Sequence, residues 1–321
     1  MYEDFIKAVD SSSTIAIISH INPDGDTCGS ALALFRALSL YSKDKNIYLL
    51  CDGNIKGNLT TLKGSEFYNQ AEPDKVELAI ACDCADMDRL GKFTSLFNRA
   101  KISVDIDHHK TNDRYGKINI IEAGVSATCE VMYKVLKALD KRKPCFDDDV
   151  AKLLYSGLVT DSGGFSYSNV STQTHLIASE LIKYDFKASE VCERFLKKVS
   201  MNKFLLRMRV LSKAKFFENG KIGMIIFTQE DFAATGTTVE STEGAINYVR
   251  DIDGVEIAVS ITQMPQDNNY KVSVRTSDNY DASRITMQFG GGGHKNAAGC
   301  RVSGFFEDVK DKVLKACVDE L

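Results

Sequence analysis

The chain has 321 residues, enough for two domains on the rough scale of 100–200 residues each. Its 40 basic and 44 acidic side chains leave a formal charge of −4. That balance excludes a protein that coats long nucleic acid through bulk charge, while leaving room for a local basic pocket. A hydrophobic content of 44% and a charged content of 26% are ordinary for a soluble globular protein. The nine cysteines are scattered and odd in number, Cys82-Asp83-Cys84 is spaced too tightly for a zinc pair, and no CxxC occurs. Reduced thiols in a cytosolic chain are the better reading. The start is acidic where a signal peptide is basic, and no apolar run approaches the roughly 18 residues of a membrane span. The expectation is a cytoplasmic protein with no membrane partner.

Periodicity predicts a helix over 2–9 with Phe5, Ile6 and Val9 inward, then a buried strand over 14–18 that stops at His20. A helix over 27–40, a strand over 47–50 and a strand over 77–81 ending at Asp83 follow. The β-branched run 102–106 is a further strand, and it opens directly onto Asp107, His108 and His109. Strands alternating with helices indicate a parallel sheet with helices on both faces. Helices are expected over 127–139 and 147–158, the second running into Asp161, and again over 172–183 and 188–197. The lysine-rich stretch 187–209 lacks glycine and proline and reads as a partly helical connector. Beyond it, strands over 221–228, 255–263 and 270–276 and helices over 242–250 and 281–288 lead to four glycines, a short strand over 298–302 and a closing helix from 307. The expected fold is α/β throughout: a parallel-sheet domain over 1–186, a linker over 187–209, and a smaller α/β domain over 210–321.

Strand ends that open onto polar side chains are where α/β sheets place their chemistry. His20, Asp24 and Asp26 fall within seven residues, with Pro23 and Gly25 bending the loop between them. Alone, an Asp-x-Asp loop is more often a turn or a helix cap, and a single Asp83 or Asp161 would be a cap too. Five such segments in one chain change that reading. Oxygen ligands mixed with imidazole suit Mn²⁺ or a similar divalent ion. A carboxylate bridging two ions supports an in-line phosphoryl displacement, stabilising the attacking and leaving oxygens. So many acids packed without a cation would be strongly unfavourable.

These motifs resemble the DHH–DHHA1 phosphoesterase superfamily, and within it the nanoRNase (oligoribonuclease and pAp-phosphatase) type. The resemblance rests on His20-x3-Asp24-x-Asp26, Asp83, Asp107-His108-His109, the segment from Gly157 to Phe165 that carries Asp161, and the segment from Gly290 to Gly299. It implies one ion held by His20, Asp24 and Asp83, and a second by Asp26, Asp83, His108 and Asp161, with Asp83 bridging. The cations would be two Mn²⁺, with Mg²⁺ or Co²⁺ as alternatives. Asp107 would orient an imidazole, and His109 would stand beside the reacting phosphate as a proton source. Asp105 receives no role from the family and is expected behind the site or in solvent.

Four consecutive glycines leave backbone N–H groups free to approach an anion. The resemblance makes Gly291, Gly292, Gly293 and His294 part of a nucleotide-holding loop. Lys271, Ser273 and Arg275 share one face of a strand, and Arg275 matches the family's phosphate-gripping arginine, a task suited to a planar fork. Arg250 stands between substrate contact and a structural ion pair, and Phe165 and Tyr167 are candidates to stack on a base. The resemblance thus implies a metal-dependent phosphodiesterase that hydrolyses two- to five-nucleotide RNA fragments or linear dinucleotides to 5′-mononucleotides, with pAp as a further substrate and a homodimer as its assembly. The alternatives are a phosphodiesterase specific for pApA or pGpG from cyclic-dinucleotide turnover, an inorganic pyrophosphatase (disfavoured by the Gly290–Gly299 segment), and a non-catalytic nucleotide sensor.

Overall fold

Short apolar runs separated by amphipathic stretches fold, in this computed structural model, into two units, the chain passing from one to the other between Lys198 and Val199. The structure describes residues 2–265 and 268–321. The first unit runs α1 (Tyr2–Ser11), β1 (Thr14–Ser19), α2 (Gly25–Tyr41), β2 (Asn46–Cys51), β3 (Leu78–Cys82), α3 (Thr94–Arg99), β4 (Ile102–Asp107), β5 (Ile118–Ile121), α4 (Thr128–Asp140), α5 (Asp148–Asp161), α6 (Thr172–Leu181) and α7 (Ala188–Cys192). Its five strands are all parallel, in the order β2-β1-β3-β4-β5.

Both faces of this sheet are buried, which is why its strands read as continuous apolar runs rather than alternating ones. Ile15, Ile17, Leu78, Ile80, Val104 and Ile106 join the larger core with α1, α2, α4 and α5. Ala16, Ile18, Ala79 and Ala81 face a smaller core closed by Leu90, Phe93, Leu96 and Phe97. The α/β expectation with helices on both faces holds.

The second unit comprises α8 (Met201–Leu211), β6 (Lys215–Phe217), β7 (Ile222–Phe227), α9 (Gln229–Thr235), α10 (Ala245–Arg250), β8 (Ile257–Gln263), β9 (Asn269–Thr276), α11 (Ala282–Met287), β10 (Gly292–His294), β11 (Ala297–Ser303) and α12 (Phe306–Glu320). Its six-stranded mixed sheet has the order β10-β11-β9-β8-β7-β6, with only β7 and β8 parallel. Val272 and Val274 of β9 point into a core with α11 and α12, while Lys271, Ser273 and Arg275 alternate to the other face.

Several elements differ from the periodicity reading. Helix α2 starts at Gly25 rather than 27, because the Asp24 carboxylate caps it by accepting from the N–H groups of Asp26 and Thr27 at 3.0 Å. Strand β5 went unread because four residues broken by Asn119 show no periodic signal, and α3 and α9 are too short to show one. Part of the glycine run is a strand: β10 pairs antiparallel with β11, Gly293 opposite Ala298. A Cβ at Gly291 would lie 2.4 Å from the Gly299 carbonyl, and one at Gly293 2.6 Å from the Ala297 carbonyl. Close backbone packing therefore demands those two glycines.

Candidate metal centre

In the strand order 2-1-3-4-5 the connections leaving β1 and β3 run to opposite sides, so a crevice opens at the carboxyl ends of these strands. His20 follows β1, Asp83 follows β3, Asp107 ends β4, and His108 and His109 follow it. The chain turns sharply at Asp83, whose φ of +61° lies in the left-handed region sparsely used by non-glycine residues. Its N–H donates to the Ile106 carbonyl at 3.0 Å, which pins this turn to the neighbouring strand.

Helix geometry brings in the remaining acids. Helices α2 and α5 approach so closely that a Cβ at Gly29 would lie 2.8 Å from the Leu153 carbonyl, and one at Gly157 2.9 Å from a carboxylate oxygen of Asp26. This contact puts Asp161, at the end of α5, near Asp26 in the first turn of α2. Asp26 also caps α4, whose preceding residue, Ala127, offers no side-chain cap. Its Oδ2 accepts from Thr128 N–H at 2.6 Å and its Oδ1 from Cys129 N–H at 2.9 Å.

The eight expected side chains of this unit converge. Ligand-type atoms of His20, Asp24 and Asp83 lie within 4.8 Å of one another, as do those of Asp26, His108 and Asp161, and those of Asp83, Asp107, His108 and His109. Asp83 Oδ2 is 3.8 Å from His20 Nε2, and its Oδ1 is 3.7 Å from both His108 Nε2 and His109 Nδ1. His108 Nε2 is 3.5 Å from Asp161 Oδ2. Each imidazole is oriented through Nδ1: that of His20 by the Ile21 carbonyl at 2.7 Å, that of His108 by the Val125 carbonyl at 3.0 Å, and that of His109 by Asp107 Oδ1 at 2.7 Å.

Three residues the sequence reading passed over complete the cluster. The Thr27 hydroxyl donates to Asp83 Oδ2 at 2.6 Å, and the Thr128 hydroxyl donates to Asp83 Oδ1 at 2.9 Å. Asn112 donates to Asp107 Oδ2 at 2.8 Å and Asp105 Oδ2 at 2.9 Å. Asp105 itself is fully buried, on the same face of β4 as Asp107, so the solvated option for it falls away.

Burial, then the neighbouring Asp83 and Asp161, push the Asp26 carboxyl well above the usual carboxylate range. Burial and Asp24 raise Asp83. Burial raises Asp161 to about 7, with Asp83 and Asp24 adding to it. Burial would lower His108, but Asp26, Asp83 and Asp161 together bring it up to about 9. Asp107 is the exception: despite its burial, the hydrogen bond from His109 holds it down at about 2. Carboxylates that share a site and repel one another are the groups a divalent cation stabilises, and the donor set of hard oxygens and imidazoles fits such an ion.

The second unit carries the other expected residues. Arg275 is half-buried on β9, with one guanidinium N–H donating to the Val274 carbonyl at 3.0 Å. His294 is exposed, and Gly292 has no atom within 4 Å of where a Cβ would sit. Arg250 forms an ion pair with its neighbour Asp251 at 2.7 Å. In the first unit, Phe165 stacks on His175 at 5.5 Å between ring centroids and packs against the larger core, which argues against its serving as an open platform for a base. Tyr167 remains 45% exposed.

Fold and cluster together define a two-unit α/β protein with a pocket of acids and imidazoles suited to divalent cations at the switch point of a parallel sheet. Residues 14–158 match the DHH family, N-terminal domain, and residues 225–321 match the DHHA1 domain. The chain belongs to the DHH–DHHA1 family. A Thermus thermophilus protein named bifunctional oligoribonuclease and PAP phosphatase NrnA is 28% identical, covering 99% of this chain and 93% of its own. A Bacillus subtilis protein of the same name is 26% identical over 98% of this chain and 96% of its own. The crystal structure of an exopolyphosphatase-related protein from Bacteroides fragilis superposes with a TM-score of 0.88 at 23% identity, covering 98% of this chain and 94% of that one, which establishes the shared fold.

Proposed function

We propose that this chain is a metal-dependent phosphodiesterase that releases 5′-mononucleotides from short oligoribonucleotides or linear dinucleotides, and that also takes pAp. The observation that carries the reading is the position of Asp83, whose two oxygens face His20 on one side and His108 and His109 on the other. In this reading His20, Asp24 and Asp83 hold one divalent cation, while Asp26, Asp83, His108 and Asp161 hold a second, Mn²⁺ in preference to Mg²⁺ or Co²⁺. The names of the Thermus and Bacillus relatives support the substrate class.

Bound cations would supply positive charge to the scissile phosphate and lower the pKa of the attacking water. The chain's own residues do the rest. Water gives up a proton to solvent as its oxygen bonds to phosphorus, the bond to the departing ribose oxygen breaks, and that oxygen takes a proton from the imidazolium of His109, which solvent then reprotonates. Asp107, bonded to His109 Nδ1, leaves Nε2 as the nitrogen that delivers the proton. Arg275, Gly292, Gly293 and His294 of the second unit grip a substrate phosphate; Gly291, expected to join them, donates its N–H to the Thr286 carbonyl at 3.0 Å. The modest overall charge fits fragments rather than long nucleic acid.

The test is mononucleotide release from pApA, pGpG, an RNA trimer and pAp by full-length protein, after chelation and with Mn²⁺ restored. Turnover is expected only with the metal. A lack of turnover on all four substrates would favour the nucleotide-sensor alternative.

A further inference from the structure

Directly behind His109 lies a side chain that no metal or substrate role accounts for. Asn112 sits in the loop after β4, and its amide nitrogen lies within hydrogen-bond reach of three acceptors: Asp107 Oδ2 at 2.8 Å, Asp105 Oδ2 at 2.9 Å and the Cys84 carbonyl at 3.1 Å. Its own carbonyl oxygen accepts from Arg114 N–H at 2.7 Å, which fixes the amide's orientation. Asp105 and Asp107 are both fully buried and two residues apart on one strand face, and their Oδ2 atoms converge on the one amide nitrogen, at 2.9 and 2.8 Å. Without a donor between them they would repel, and the other side-chain donors to Asp107, the Thr128 hydroxyl at 3.4 Å and His109 Nδ1 at 2.7 Å, both act on Oδ1, which leaves Asn112 as the side-chain donor to Oδ2.

We infer that Asn112 is the positioning residue for His109, acting through Asp107. In this relay Arg114 N–H donates to the Asn112 carbonyl, the Asn112 amide donates to Asp107 Oδ2, and the ring N–H of His109 donates to Asp107 Oδ1. It keeps hydrogen on Nδ1 and turns Nε2 toward whatever receives the proton. Asp105 has a part in this. Its Oδ2 anchors the same amide from behind. The assignment rests on the proposed role of His109 as proton donor.

The experiment compares full-length wild type, Asn112→Ala, His109→Ala and the double variant, with Asn112→Ser as a second, smaller perturbation. With pApA and saturating Mn²⁺, Asn112→Ala is expected to lower kcat by about 10-fold or more, in the range usual for residues that orient a functional group, with little change in KM. In the His109→Ala background the same change is expected to cost less than about 2-fold, because the residue it acts through has gone. Mn²⁺ affinity should stay within about 2-fold of wild type, and ¹⁵N spectra of the neutral His109 ring should show hydrogen on Nδ1 in wild type and a tautomer mixture in Asn112→Ala and Asn112→Ser. Losses that multiply in the double variant, an equal fall in metal affinity, or an unchanged ring tautomer would each overturn the assignment. If wild type turns over none of the nucleotides, the proposed function fails by itself, while the ring spectra still decide what Asn112 holds.

Discussion

Asp83 carries more of the site than any other single side chain. Its carboxylate receives hydroxyl donors from Thr27 and Thr128, one on each oxygen, and lies among three imidazoles. Asp83→Asn keeps the volume and removes the charge. Isothermal titration is expected to show Mn²⁺ affinity down by more than about 100-fold and turnover abolished, as should His108→Ala. In chelator the variant should melt no lower than wild type, since a repelling carboxylate has been neutralised. With Mn²⁺ at about 100 times its Kd, wild type alone should gain about 2.7 kcal/mol. The same electrostatics predict a pH trend without metal. Asp161 and Asp105, both raised by burial to about 7, and His108, raised by its carboxylate neighbours to about 9, hold protons more tightly folded than unfolded. Their stabilisation is present at low pH and is lost as pH rises through those values. The melting temperature of chelated protein should therefore fall from pH 5 to 9, and Mn²⁺ should flatten the curve. A chelated protein that melts higher at pH 9 would contradict the raised values.

At the scale of elements, α2 and α5 make the site by touching at Gly29 and Gly157. Gly157→Ala would press a methyl group to 2.3 Å from Cys129 Sγ and 2.9 Å from Asp26 Oδ1. A loss of about 1–3 kcal/mol by denaturant unfolding is expected, together with weaker Mn²⁺ binding, because Asp26 and the start of α4 must both move. Unchanged stability would mean the helices have slack that this packing does not show. In the second unit, α9 is held by a capping box between Thr228 and Asp231, and buried Asp231 also pairs with Arg209 at 2.6 Å and Lys213 at 3.0 Å. These donors outweigh burial and hold Asp231 at about 2. Its contribution is present above pH 4 and lost as pH falls toward 2, so Asp231→Asn should flatten acid unfolding of this unit in that window. The glycine contact and the Asp26 cap were not legible beforehand, because pairings between α2, α4 and α5 leave no local period. Buried strands and the Asp and His residues ending them were legible, since parallel strands buried on both faces leave long apolar runs that stop abruptly at polar groups.

The whole molecule joins a metal-type cluster in one unit to a basic, glycine-lined strand face in the other. The acids and imidazoles at strand ends are legible in the sequence itself, whereas Arg275 and the glycines are singled out by the family resemblance. The sequence could not show which glycines serve packing and which stay open, a distinction that needs the β10–β11 register. Nor could it show Thr27, Thr128 and Asn112 as partners of the acids, because hydroxyls and amides are common and only distance gives them meaning. If the second unit grips the nucleotide, Arg275→Ala should raise KM for pApA by about 10-fold or more, the loss of about 1.5–3 kcal/mol expected of a charge-assisted hydrogen bond, while sparing a small aryl phosphodiester. An equal loss on both substrates would remove the grip role. The most direct test of the account is the number of Mn²⁺ ions held per chain after chelation, reloading and desalting. The account predicts two for wild type and fewer for Asp83→Ala; one or none in wild type, or two still held by Asp83→Ala, would contradict it.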